Sequence, residues 1–372
     1  MTRRLIITCM KNEAPFILEW VAYHRSIGFN DFLVFTNDCD DGTVEMLDCL
    51  AGHGILTRMD NPYLDIPGDH NPQKGALRFA EDLPKVAEAD WVMVSDVDEF
   101  VNIHTGDGTL DALFAATGEI DVISMQWRLF GNGDLDAYED KFVTEQFIHC
   151  APKFAPNPVQ AWAVKSMYSN AGDHKVGKLT RIGVHRPMNP GKGEGPDTIR
   201  WVDGSGRPVL DKFVKEGWRF GTHSYGYDLV TLNHYACRSA ESFVVKRDRG
   251  RVNHVDRDQG LAYWLRMNFN MEQDRSILAH VPRAYEEFDR LAQLDGVLKC
   301  HSDAVRAHKN KIKSLLKRPD TKDFYQDITS DRMQLVSRHL NLLNRKILTE
   351  GPGRIPKEIF ERIAQVPDLM AG

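Results

Sequence analysis

The chain has 372 residues, 42% hydrophobic and 27% charged, which suits a globular protein of one large domain or two modest ones. A formal net charge of −6 argues against a broad nucleic-acid-binding surface. No stretch approaches the ~18–20 consecutive apolar residues of a membrane span, and the apolar run from Leu5 to Met10 is too short for a signal-peptide core.

Leu5 to Cys9, rich in β-branched residues, predicts a buried first strand. A helix follows from Pro15 to Ile27 and stops at Gly28. Asp31 to Thr36 predicts a second strand, Asn37 to Gly42 a polar turn, and Thr43 to Leu50 a short helix. Ile55 to Arg58 predicts a third strand, residues 60 to 73 a loop, and Lys74 to Leu83 a helix. Trp91 to Ser95 predicts a fourth strand, Leu110 to Ala116 a helix, and Asp121 to Trp127 another strand. Residues 130 to 235 are Gly- and Pro-rich with little periodicity, apart from strand character at Val230 to Tyr235. Ser239 to Arg249 predicts a helix, and from about Asp274 the pattern turns helical to the end.

Such alternation predicts an α/β fold with a mostly parallel, Rossmann-like sheet, in which ligands collect at the carboxyl ends of the strands. The expected division is 1–273, split into 1–127 and 128–273, followed by a helical region 274–372. Three polar clusters fall at that edge: Lys11-Asn12-Glu13, Asn37-Asp38, and Asp96-Val97-Asp98-Glu99. The last puts three carboxylates in four residues directly after an apolar strand. Burying carboxylates without partners is costly, so the cluster calls for solvent, cations or a metal. Hard oxygen ligands at this spacing suit Mg²⁺ or Mn²⁺. Each cluster also has an ordinary use: Asn12 and Glu13 as a helix cap, Asp41-Gly42-Thr43 as a turn, the acids as partners of surface lysines.

Taken in order, these motifs resemble the family 2-type glycosyltransferases, most closely their bacterial type 4 branch, and are similar also to the family 92 enzymes. Trp127-Arg128-Leu129-Phe130-Gly131, Lys165-Ser166, Val184-His185-Arg186-Pro187 and Asn233-His234-Tyr235 extend the resemblance across roughly residues 5 to 250. The resemblance implies a GT-A fold: a nucleotide-sugar half fused to an acceptor-binding half. It implies transfer of a sugar, a hexose by default, from a nucleoside diphosphate donor, by default UDP, with Mn²⁺ or Mg²⁺. Carried over by position, Asp98 ligates the metal, Asp96 meets the ribose or a metal-bound water, and His234 completes the metal shell. Asn12, Glu13, Asn37 and Asp38 line the nucleotide, while Lys74 and Arg78 face the donor. The acceptor is a glycan or a lipid-linked glycan in cell-surface or exopolysaccharide synthesis, and inversion by single displacement is the expected course.

One departure concerns the catalytic base. The Glu-Asp pair that inverting relatives place about ninety residues after the metal motif is missing; Glu145 is the nearest substitute, Asp134 a weaker one. Two other functions fit parts of the pattern. A sugar nucleotidyltransferase needs a Gly-rich phosphate loop after the first strand, where Lys11-Asn12-Glu13-Ala14-Pro15 stands instead. A non-catalytic glycan-binding protein on a degenerate fold has no need of intact Asp96, Asp98 and His234. The six scattered cysteines show neither Cys-x-x-Cys nor zinc spacing, as expected of free thiols in a reducing cytoplasm. The cationic run from Lys299 to Lys317 reads as a solvated helix face, with a surface for anionic lipid headgroups at the inner face of a membrane, or for an anionic glycan, as the rival. The oligomeric state is left open.

Overall fold

Strand and helix alternate from the first residues of the computed structural model, which describes residues 2–66, 71–170, 181–188, 199–215, 217–221, 224–250, 260–343 and 345–365. Strand β1 (Arg4–Met10) leads into helix α1 (Ala14–Ser26), β2 (Asp31–Thr36) into α2 (Thr43–Gly52), and β3 (Thr57–Asp60) precedes α3 (Pro72–Ala80). Pro72 occupies the first turn of α3, where its missing N–H costs nothing, and Asn71 caps it by accepting the Lys74 amide at 3.0 Å.

The remaining strands are β4 (Trp91–Val94), β5 (Glu99–Ile103), β6 (Val122–Leu129), β7 (His149–Cys150), β8 (Val164–Ser169), β9 (Trp201–Asp203), β10 (Val230–His234) and β11 (Glu272–Gln273). The main sheet runs β3-β2-β1-β4-β8-β6-β10-β5, with β9 beside β6. Strands β3, β2, β1 and β4 are parallel, as are β6, β9 and β10. Strand β8 runs antiparallel to both neighbours, and β5 antiparallel to β10. The result is a mixed but mostly parallel sheet compatible with a Rossmann-like fold.

The register positions the site. Met10 lies opposite Thr36 and Ile7 opposite Val94, so β1, β2 and β4 end on one edge. The turns that follow them share that edge. Strand β10 then pairs His234 with Glu99 of β5, which carries a residue from late in the chain to the acidic turn.

Residues Glu99–Ile103, to which the sequence pattern assigns no element, form a fully buried strand. Within the stretch read as irregular, Val164–Ser169 and Trp201–Asp203 are strands of the main sheet. Their polar residues look out of place until the neighbouring strands supply partners: Ser124 Oγ lies 2.7 Å from Ser166 Oγ and accepts the Trp201 indole N–H at 2.8 Å.

Apolar clusters cover both sheet faces. Trp20, Tyr23, Phe32 and Phe100 share one of them with Ile277, Val281, Ala284 and Leu291 from the helical carboxyl-terminal part. Helix Val281–Ala292 lies along α1, and Arg25 and Glu287 join the two at 2.5 Å. A further cluster packs Phe243 and Trp264 against Phe324, Ile328 and Val336. Among the described residues no helix is long and apolar enough to cross a membrane.

Candidate functional site

The acidic turn closes on itself. The Asp96 amide donates to Glu99 Oε2 at 2.8 Å, and the Glu99 amide donates to the Asp96 carbonyl at 3.0 Å. This fixes Asp96 and Asp98 on the same edge, with Glu99 beneath them and fully buried.

Two lysines serve the three acids. Lys165 of β8 is wholly buried, with Nζ 3.3 Å from Asp96 Oδ2 and 3.5 Å from Glu99 Oε2. Lys246, on helix Ala240–Arg249, donates to Asp98 Oδ2 and to the Ala236 carbonyl, both at 2.7 Å. Gln73 of α3 donates to Asp96 Oδ1 at 3.1 Å. Burial works to raise the Asp98 pKa, but Lys246 and then His234 override it and hold the carboxyl well below its usual range. Burial dominates at Glu99 despite Lys165, and its carboxyl is pushed up to about 7. The Lys246 pKa is raised. Burial would lower its pKa, but Asp98 raises it, so the pair is ionic.

His234 Nε2 faces Asp98 Oδ1 at 3.6 Å, while Lys246 occupies the other carboxylate oxygen. A carboxylate oxygen and an imidazole nitrogen therefore lie side by side; the oxygen suits Mn²⁺ or Mg²⁺, and the nitrogen is a softer ligand than those ions usually take. Among the described residues no group of three or more His, Cys, Asp or Glu side chains could hold a metal. Two protein ligands fit a cation that takes its remaining ligands from water and phosphate, as Mg²⁺ usually does. The His234 ring packs on Trp127 at 4.3 Å between centroids, and His185 follows at 5.8 Å from Trp127 and 4.9 Å from Trp218. Burial, then Lys165, pushes His185 down to about 3, so its imidazole is neutral.

The first polar turn is tied to the acidic one by arginines. Arg238 donates to Glu13 Oε2 at 3.0 Å and to the Val97 carbonyl at 3.3 Å, with its guanidinium 3.6 Å from the Phe16 ring centroid. Arg249 also pairs with Glu13 and donates to the Lys11 carbonyl at 2.5 Å and the Asn12 carbonyl at 3.0 Å. Burial would raise the Glu13 pKa, yet Arg249 and Arg238 lower it. The second turn meets the first through Asn12, which donates to Asp40 Oδ1 at 2.6 Å and accepts the Asp40 amide at 2.8 Å. Asn12 and Asp38 both adopt positive φ, 52° and 51°, a conformation Asn and Asp tolerate better than most residues. Asn37 donates to Asp38 Oδ2 at 2.9 Å, and Lys11 Nζ lies 3.7 Å from the same oxygen.

The structure thus gathers Asn12, Glu13, Asn37, Asp38, Asp96, Asp98 and His234 on one sheet edge. Lys74 and Arg78 are exposed on α3, the helix that delivers Gln73. Glu145 is exposed and accepts the Tyr285 hydroxyl at 2.8 Å; among the described residues no contact joins it to Asp96, Asp98 or His234. Asp134 pairs with Arg338. Gln73, Arg238, Lys246 and Arg249 carry no mark in the sequence reading, and Lys165 stands there only as part of a motif. Two signals were available. Lys165 interrupts an otherwise strand-like run, and Lys246 and Arg249 stand three apart, on one face of the first helix after His234.

Comparison with known proteins shows what the amino-terminal part of the chain is similar to. The sequence model of Glycosyltransferase family 92 matches residues 6–154. A Glycosyltransferase family 92 protein of Arabidopsis thaliana is 30% identical over 101 residues, which is 27% of this chain and 16% of that protein. One from Oryza sativa subsp. japonica is 30% identical over 110 residues, 29% of this chain and 18% of that protein. One from Ricinus communis is 29% identical over 106 residues, 28% of this chain and 17% of that protein. The match therefore spans under a fifth of each relative's length. The family-model match over residues 6–154 includes all three polar turns. In this amino-terminal region the chain is similar to Glycosyltransferase family 92, one of the families that its turn motifs resemble.

Proposed function

We propose that the protein is a metal-dependent glycosyltransferase that moves a sugar, a hexose by default, from a nucleoside diphosphate donor to a glycan or lipid-linked acceptor. The observation that carries this reading is the convergence of three polar turns on one sheet edge, locked by Arg238 and Arg249, within the segment that matches a glycosyltransferase family. Asp98 and His234 would hold Mn²⁺ or Mg²⁺ there, with Asp96 beside them. The cation supplies Lewis-acid neutralisation of a departing diphosphate.

The protein's own groups do the remaining work. Asn12, Asn37 and Asp38 offer amide and carboxylate groups to a base and ribose, with UDP the default donor. Glu13 is consumed by its arginines and supports the turn rather than the ligand. Lys165 and Lys246 keep Asp96 and Asp98 oriented, so the edge is set before a ligand arrives. The side chains of Trp127 and His185 wall the approach to His234. Inversion is the favoured course by resemblance, and Glu145 is not positioned by any described contact to serve as its base. Cell-surface or exopolysaccharide assembly at the cytoplasmic face of a membrane is the setting that fits such an acceptor.

The test is a thermal-shift panel of UDP-, GDP-, CMP- and dTDP-sugars with Mn²⁺ or with EDTA. One donor should raise the melting temperature only in the presence of metal. The response should vanish in Asp98→Ala and persist in Asp323→Ala, an exposed carboxylate on helix Pro319–Ile328. No metal-dependent response to any donor would overturn the reading.

A further inference from the structure

Helix Val297–Leu315 lays one face on the protein and turns the other to solvent. Val297 joins the core cluster of α1, while Ile312 and Leu315 join the cluster of Phe243 and Trp264. His308 is buried, with Nε2 3.2 Å from Ser242 Oγ on the helix that carries Lys246. Asp248 of that same helix pairs with Lys311 at 2.8 Å and with Arg318 at 2.9 Å. The long helix is thus fixed to an element of the site edge.

At ~100° per residue, its outer face presents Leu298, Ser302, Arg306, Lys309 and Lys313, all exposed. Lys317, also exposed, continues the row in the turn beyond the helix. No carboxylate falls on this arc. Asp303 flanks it and pairs with Lys299 at 2.6 Å and with Arg306 at 2.5 Å. Among the described residues Lys309, Lys313 and Lys317 have no carboxylate partner, and Lys309 Nζ stands 6.0 Å from the Tyr138 ring centroid. Standing four apart in sequence, these lysines form a row of ~12 Å. The chain as a whole carries a net charge of −6, so the row is a local reversal of sign. Neighbouring cations are neutralised by Asp303 and Asp248, and this row is not. Leu298 is 53% exposed and lies about three turns before Lys309 on the same face.

We propose that the outer face of helix Val297–Leu315 docks on an anionic phospholipid surface, with Lys309, Lys313 and Lys317 over the headgroup phosphates and Leu298 at the headgroup–acyl boundary. Charge selects an anionic partner, and shape selects a lipid surface among anionic partners. A convex helix face meets a plane along its whole length and offers no cleft to close around a glycan or nucleic-acid strand. Docking needs neither donor nor metal, so its failure and the failure of the sugar-transfer reading are distinguishable. For the lipid-linked acceptor proposed above, it would keep the site edge beside the membrane that carries the acceptor.

The experiment sediments the full chain, without donor or metal, with vesicles of phosphatidylcholine alone or of an equimolar mixture with phosphatidylglycerol. Most of the protein should sediment with the mixed vesicles at low ionic strength and stay in solution with phosphatidylcholine. Added NaCl should release it. A basic residue near an anionic surface contributes about fivefold to binding, so the triple variant Lys309→Glu, Lys313→Glu, Lys317→Glu should lower the partition coefficient by about 100-fold or more. The triple variant Lys153→Glu, Lys212→Glu, Lys357→Glu makes the same change in net charge at exposed residues elsewhere and should bind as the wild type does. Circular dichroism and the melting temperature check that both variants fold, and a Lys→Gln set at 309, 313 and 317 should bind between wild type and the charge reversal. No binding to the mixed vesicles, equal losses in the two charge-reversal variants, or binding to heparin without binding to vesicles would overturn the proposal.

Discussion

Asp98 shows how a single buried charge is made tolerable. Its carboxylate has the Lys246 ammonium on one oxygen and the His234 ring facing the other. Removing one member of a buried pair leaves the other uncompensated, at a cost of about 3–5 kcal/mol. Lys246→Met should therefore lower the unfolding free energy by about 3 kcal/mol in a urea titration. The double variant Lys246→Met with Asp98→Asn should lose less than the sum of the two single losses; strict additivity would show that the pair is not coupled. Because the fold lowers the Asp98 pKa, the stability it contributes is full above the ordinary carboxylate range and is lost as pH falls below that range through the depressed folded-state pKa. Glu19 has the opposite sign. Burial raises its carboxyl to about 7 from an ordinary 4.5, although it accepts the Thr144 and Val143 amides at 3.0 and 2.7 Å. Its contribution is full below about 4.5 and is lost as pH rises through about 7, a change of about 3 kcal/mol. Glu19→Gln should flatten the stability curve between those pH values, and curves that stay parallel to the wild type would rule this out.

Helices α2 and α3 hold the site edge by their first turns. Thr43 Oγ1 accepts the Glu13 amide and so joins the start of α2 to the first polar turn. Thr43→Ala should cost about 1 kcal/mol by leaving that buried amide unpaired. In α3 the tight point is Gly75, where a Cβ would meet Tyr63 Cβ at 2.6 Å and its Cα at 2.7 Å. Backbone cannot yield as a flexible side-chain tip does, so Gly75→Ala must displace α3 from the loop before it. We expect a loss of about 1–3 kcal/mol, together with weaker donor binding as Gln73 leaves Asp96. A Gly75→Ala protein with unchanged melting temperature and donor response would show that this helix does not set the acidic turn.

For the molecule as a whole, the helices after Asp274 share the core of the sheet half. Ile277, Val281, Ala284 and Leu291 complete the cluster around Trp20 and Tyr23, and Arg25 pairs with Glu287. A chain ended at residue 273 would expose that face of α1. It should lose cooperative unfolding and aggregate, whereas a truncated chain with a sharp two-state transition would show that residues 1–273 stand alone.

Local pattern determined much of this protein. β-branched runs, Pro at helix starts and Gly at helix ends placed β1, α1, β2 and α2 within a few residues, because those signals act within one turn or strand. The same reading found the three polar turns and singled out Asp96 and Asp98, while His234 came from the family resemblance. Tertiary structure alone decided what surrounds them. Pairing of β10 with β5 sets His234 beside Glu99, and β8 slides Lys165 between Asp96 and Glu99. Arg238 and Arg249 cross from the far side of the sheet sequence to Glu13. A side chain's partner across a sheet or between helices depends on strand order and register, and no local pattern of residues records either.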